Sequence, residues 1–423
     1  MNRIIANVLP ARFGLAFLST PTTTIHAQDD PADHWPNFRG PTFNGTSETA
    51  DPPTEWSEEK NVKWKVELPG PGNNASPVVW GDKVFVLTAI PDPNATPEPQ
   101  AAPAPPRQQR GRRGRRGRRP AAPLVPTKFV TLCYDRNTGE KLWEQLAVEA
   151  TPHQGHHQDH SFASASPITD GQHVYSHFGS RGLYCYDMDG NLKWSRDDFG
   201  QMMTRNGFGE GSSPVLYKDT IVVPWDHEGD SWVMALDALT GETKWKAERD
   251  EPSNWVTPVV VEHDGQPIVV TGGENFARAY DLKSGEELWR SGGFTSRPIT
   301  APVVYNDVVF LASSRQGAFL AAFYFGDKGS ITPEWSTDQM APDVPSLMLS
   351  DKRLLFLSGS RNILHCVDAA TFEPLYGPVR LEDISGVYAS PVAAGGYVII
   401  VGRDGVAMVL KDSDEFEVVS TNR

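Results

Sequence analysis

The sequence predicts an all-β fold, a β-propeller of four-stranded antiparallel blades, and three observations predict it. A pattern of Asp, a glycine-bearing turn and Trp recurs four times: Asp135, Gly139, Trp143; Asp187, Gly190, Trp194; Asp237, Gly241, Trp245; and Asp281, Gly285, Trp289. Successive tryptophans lie 51, 51 and 44 residues apart, the length of one four-stranded blade. Between them, short apolar runs alternate with tight turns, which reads as four short strands per unit.

The third unit is the most direct, with strands expected at 215–217, 220–224, 232–236 and 243–247. Each unit opens on a small or polar residue before a proline, at Pro77, Pro167, Pro214, Pro258, Pro302, Pro345 and Pro391. Proline has no N–H to give a ladder, so it suits the first residue of an innermost strand. The Trp is large enough to fill the space between one sheet and the next. The Asp and the Thr or Ser hydrogen-bond the turn backbone, and the glycine takes its positive φ. Weaker copies follow: Trp335 ends a fifth unit, Asp368, Phe372 in the glycine slot and Tyr376 end a sixth, and a seventh ends near Val418.

Residues 62–68, Val-Lys-Trp-Lys-Val-Glu-Leu, read as an outermost strand with its own Trp64 but no blade. An open ring exposes sheet edges, so propellers close by pairing strands from both chain ends. The expectation is therefore an eight-bladed design whose last blade is incomplete, the chain stopping about 30 residues short by the length of the other blades. The alternative is a seven-bladed ring on which residues 62–68 merely lean. The organisation that follows is an export signal at 1–27, an N-terminal arm at 28–61 and one propeller domain over 62–423.

Arg3 and Arg12, the apolar stretch 13–18 and Ile25-His26-Ala27 form the leader, with cleavage before Gln28 placing the mature protein in the periplasm or outside the cell. No cysteine follows that site, so lipid anchoring is not indicated, and no apolar run reaches the 18 residues of a spanning helix. A Pro- and Arg-rich insertion at 91–127 interrupts the first blade between its second and third strands. It carries eight arginines against Asp92 and Glu98, a net of +6 in a chain of −14, and is expected to be disordered. It reads either as an arm for an anionic polymer or as a solubilising insertion. Export, and the lack of any aromatic residue among the arginines, argue against nucleic acid. Cys133, Cys185 and Cys366 each sit two residues before a blade Asp, where Ala235 and Ala279 stand in other units. Equivalent sites in neighbouring sheets lie too far apart for a disulfide, so these cysteines are core residues.

Strand direction puts the inter-blade loops and the turns between second and third strands on one face. That face collects the ligand- or partner-binding candidates: His156, His157, His160, Arg181, Arg205, Asn206, Glu210, Asp226, His227, Glu228, Trp255, Arg315, Arg361 and Arg403. Each group has a structural reading beside the functional one. The histidines are metal ligands by type but lack fixed spacing. The turn from Asp226 to Asp230 offers oxygen ligands for calcium without the spacing of a known loop. The recurring arginines could hold an anion bidentately, or pair with nearby carboxylates.

The Asp-x-x-Thr-Gly-x-x-x-Trp repeats, with Trp35-Pro36-Asn37-Phe38-Arg39-Gly40-Pro41, resemble the pyrroloquinoline quinone (PQQ)-like β-propeller repeat family over nearly all of 35–423. The resemblance implies two kinds of function. One is a quinoprotein dehydrogenase that holds PQQ with calcium in its channel. The other is a non-catalytic propeller such as the scaffold of outer-membrane protein assembly. The alcohol dehydrogenases of the family use an adjacent Cys-Cys pair, which this chain lacks, and no calcium-carboxylate or catalytic-base motif can be placed. The reading is therefore a binding or scaffold module with no predicted cofactor and no catalytic residue, its partner a protein or anionic polymer of the cell envelope. A PQQ-dependent oxidoreductase and an outer-membrane assembly scaffold are the alternatives.

Overall fold

The structure, a computed structural model, describes residues 30–96, 124–294, 297–313, 319–326, 328–338 and 341–423. The expected export signal, the middle of the Arg-rich insertion and Arg315 lie outside these residues. Among the described residues the chain forms seven sheets, each built on four antiparallel strands in chain order, and two carry a fifth, parallel strand: Thr46–Ser47 on blade 7 and Gly329–Ser330, which leaves blade 5 to join blade 4. Blade 3 is representative: Val215–Tyr217, Thr220–Trp225, Ser231–Asp237 and Thr243–Arg249 pair in that order. The insertion leaves blade 1 where expected, from a hairpin whose strands Lys83–Pro91 and Thr127–Asp135 pair out to Pro91 opposite Thr127.

The repeat residues do what their chemistry suggests. In blade 1 Asp135 Oδ1 accepts hydrogen bonds from the Asn137 and Thr138 N–H groups, each at 2.8 Å, and from Thr138 Oγ1 at 3.0 Å. The same set recurs at Asp237 and Asp281. Three of these Trp side chains then reach across to the next blade, while Trp289 Nε1 has no hydrogen-bond partner among the described residues. The indoles of Trp143, Trp194 and Trp245 donate to the carbonyls of Met188, Ala238 and Leu282, in each case the residue after that blade's Asp. The turn glycine makes room: at Gly285, with φ of 76°, an added Cβ would lie 2.6 Å from the Trp245 ring. Blade 6 departs from this pattern as its sequence does. Phe372 holds the positive φ of 63°, and Trp335 stacks flat on it at 5.4 Å.

The cysteines are buried and free. Cys133, Cys185 and Cys366 stand opposite Trp143, Trp194 and Tyr376, where Ala235 and Ala279 face Trp245 and Trp289. Burial pushes all three thiols up to about 12. One strand start differs from expectation. In blade 6 the hydroxyl residue follows the proline, as Pro345-Ser346, and Leu347 takes the slot that proline holds elsewhere.

The N-terminal arm is structured and threads the middle of the ring. Trp35 pairs with Val79 of blade 1, and Pro36 accepts the Thr169 N–H of blade 2. Asn44 bonds Val304 of blade 5 through its side chain and accepts the Leu349 N–H of blade 6. Thr46–Ser47 adds a short parallel strand to blade 7 at Ala393 and Ala394. Arg39 is 2% exposed, and its Nη2 donates to the carbonyls of Leu347 and Pro391, which hold equivalent positions on blades 6 and 7. Burial lowers its pKa to about 9. The guanidinium lies over Gly45, where φ is 81° and a Cβ would sit 1.9 Å from Nη2.

Candidate functional site

The residue before each proline slot is a device that the sequence showed only as "small or polar". The N–H of Ser76 donates to Ser166 Oγ at 3.0 Å, that of Ser166 to Ser213 Oγ at 2.9 Å, and that of Ser213 to Thr257 Oγ1 at 3.1 Å. On the other side of the ring Ala301 N–H donates to Ser346 Oγ and Ser346 N–H to Ser390 Oγ, at 3.0 and 2.9 Å. The relay breaks at Ala301, which has no hydroxyl, and after Ser390. Each acceptor hydroxyl keeps its own hydrogen, and none of those hydrogens finds an acceptor among the described residues.

These hydroxyls line a cavity of about 950 Å³ in the channel, which the arm bounds with Trp35, Phe38 and Arg39. Its mouth carries His157, Phe208, Trp255 and Tyr388. Arg297 stacks on Phe208 at 4.8 Å, and Arg403 stacks on Tyr388 at 4.7 Å while pairing with Asp159. The volume lies in the range of small-molecule sites. Its hydroxyls and cations suit an acceptor-rich, negatively charged group.

The candidates cluster on one face, but most of them build the rim rather than reach out from it. Glu210 caps the blade 2 turn, accepting from Ser180 N–H at 2.5 Å and Ser180 Oγ at 2.7 Å; burial raises its pKa against those bonds. Glu251 caps the Asn275 and Phe276 N–H groups in the same way, and Asp343 caps Gly359 and Ser360. Arg205 bridges Glu228 at 3.1 Å and Glu274 at 2.7 Å. Asn206 holds a positive φ of 57° beside it. Arg181 donates to the Thr151 carbonyl and contacts His153, and Arg361 is exposed.

Asp226 is a core residue. Arg249 grips both its oxygens, at 2.8 and 2.9 Å, and Asn254 bonds one of them. His227 takes the Met203 and Gly229 N–H groups. The histidines diverge. His156 packs edge-to-face with Phe162 and His157 with Phe208, while half-buried His160 contacts the Ser161 carbonyl and is held down to about 4 by desolvation. Among the described residues no three His, Cys, Asp or Glu side chains stand together to hold a metal ion. Asp226, Glu210, Glu228 and Asp159 are all engaged by protein donors.

A family profile, outer membrane protein assembly factor BamB, matches residues 128–374, more than half of the chain. The chain belongs to this PQQ-like propeller family. Stretches of it also match two curated proteins of Methylorubrum extorquens. Methanol dehydrogenase [cytochrome c] subunit 1 is 33% identical over 90 residues, 20% of this chain and 13% of that protein. Lanthanide-dependent methanol dehydrogenase is 34% identical over 71 residues, 15% of this chain and 12% of that protein. The matches thus span about an eighth of the length of these relatives. Among solved structures, a europium-containing methanol dehydrogenase superposes with a TM-score of 0.52 at 11% identity, covering 91% of this chain and 90% of that one. BamB from Moraxella catarrhalis gives 0.47 at 13% identity, covering 68% and 81%. At 11% identity the likeness to the methanol dehydrogenase structure shows the propeller fold and nothing finer.

Proposed function

We propose that this protein is an exported, non-catalytic propeller that binds a protein or anionic polymer of the cell envelope at the mouth of its channel. One observation carries the reading: a cavity ringed by hydroxyl donors opens between aromatic and cationic residues, while the carboxylates and histidines around it are spent on the protein's own turns. Such a site can hold acceptor groups. The family profile's description favours an assembly scaffold among the binding roles. A second reading, a PQQ-dependent oxidoreductase, draws on the methanol dehydrogenase stretches and on the same hydroxyl-lined cavity. Calorimetric titration of the purified chain with PQQ in calcium, followed by a dye-reduction assay on alcohols and sugars, separates them. The binding module gives neither calcium-dependent uptake nor dye reduction, and both together would replace it with the oxidoreductase.

A further inference from the structure

Among the described residues three arginines are buried: Arg39, Arg249 and Arg278. Two of them have counter-charges, since Arg249 grips Asp226 and Arg278 meets Asp250, Glu251 and Glu287. Arg39 differs. Its Nη2 donates to the Leu347 and Pro391 carbonyls, its Nε has no partner among the described residues, and burial lowers its pKa with no charged neighbour opposing the shift. A buried charge held only by neutral carbonyls is costly, and a ligand that supplies the counter-charge offsets much of that cost.

Arg39 lines the channel cavity together with Ser346 and Ser390, the residues that precede the two carbonyls it holds. Those hydroxyls accept the Ala301 and Ser346 N–H groups and keep their own hydrogens to donate. The charge balance of the lining sets the charge of a matching ligand. Four arginines and three aspartates surround the cavity, a net of +1 with the histidines neutral, in a chain of −14. One monoanion neutralises that charge, and a polycarboxylate overshoots it. Trp35, Phe38, Val79, Ile299 and Val344 give the walls apolar surface, which suits an organic body rather than a bare inorganic ion.

We infer that the channel binds a small organic monocarboxylate, its carboxylate against Arg39 and the Ser346 and Ser390 hydroxyls and its apolar body against Trp35 and Phe38. The inference rests on the reading of the cavity as a site for negatively charged groups and is independent of what docks at the mouth. Binding of this kind needs no calcium, because Arg39 supplies the charge.

Benzoate and its neutral isostere benzamide, titrated calorimetrically into the full chain without calcium, are the probes. Benzoate is expected to bind saturably and about tenfold or more tighter than benzamide, the margin of a charge-assisted hydrogen bond over a neutral one. Arg39→Met is expected to bring the two affinities together, and Arg39→Lys to keep benzoate ahead. A photoreactive azidobenzoate locates the site on the unaltered chain, with labels expected within 33–39 and 388–394, which line the cavity. Equal affinities for the two probes, no uptake of benzoate, a preference that survives Arg39→Met, or labels confined to other segments overturns the inference. Such a failure leaves the mouth reading to its own test, since crosslinks from His157 and Arg403 do not involve Arg39.

Discussion

Asp226 shows how burial decides what a residue does. It sits on a turn with His227, Glu228 and Asp230 that resembles a hard-metal site, but its side chain is 3% exposed and faces Arg249 at 1%. Breaking such a pair strands a charge in the core, which costs about 3–5 kcal/mol, whereas replacing both partners with apolar groups is often nearly neutral. Asp226→Ala is therefore expected to lose that much in a urea titration, and Asp226→Ala with Arg249→Met to recover most of it. Two desolvated histidines, buried His177 and half-buried His160, set a pH dependence. Desolvation holds His160 and His177 down to about 4 from 6.5. Between pH 6.5 and 4 the unfolded chain takes up protons that the folded chain refuses, so stability falls as the pH drops through that window. Each contributes about 3 kcal/mol of loss by pH 4, and the raised pKa of Glu210 opposes the trend. His177→Gln should shrink the loss by about its own share in unfolding measurements across that range. None of this was legible beforehand, because the partners Arg249 and Asn254 are separated from Asp226 by 23 and 28 residues and no periodicity links them.

At the scale of the element, the blade was readable because its signals are local. Asp, Thr and Gly act within one turn, Trp acts one blade away at a fixed spacing, and the strands of blade 3 fall within two residues of those expected. The bracing role of the loop carboxylates, Glu210 among them, and the hydroxyl relay escaped notice for the opposite reason. Each pairs one blade with another, and the sequence shows only a Ser or Thr before Pro. The relay makes a two-sided prediction. Ser213→Ala leaves the buried Ser166 N–H without its acceptor and should cost about 1–3 kcal/mol. Ala301→Ser offers Thr257 N–H the hydroxyl that the ring lacks there and should raise stability by about 1 kcal/mol. Denaturation midpoints with unchanged m-values check both.

At the scale of the whole molecule, the ring is fastened from inside. The arm 35–47 bonds the inner strands of blades 1, 2, 5, 6 and 7, so this N-terminal segment is part of the core. Its Trp-Pro-Asn-Phe-Arg-Gly-Pro run was recognisable only as a family feature, since its role needs the closed ring to exist. The face assignment followed from strand direction alone: His157, Trp255 and Asp159, paired with Arg403, do gather at one mouth. The identity of what binds there could not follow, because side chains that reach a ligand and side chains that brace a loop are the same residue types.

Site-specific photocrosslinking in the cell envelope tests the binding reading most directly. A photoreactive residue placed at His157 or Arg403 reports on the mouth, and one at Lys283 reports on the turns of the opposite face. The account predicts a discrete adduct from the two mouth positions and none from Lys283. Adducts of equal yield from Lys283, or no adduct from the mouth, would contradict it.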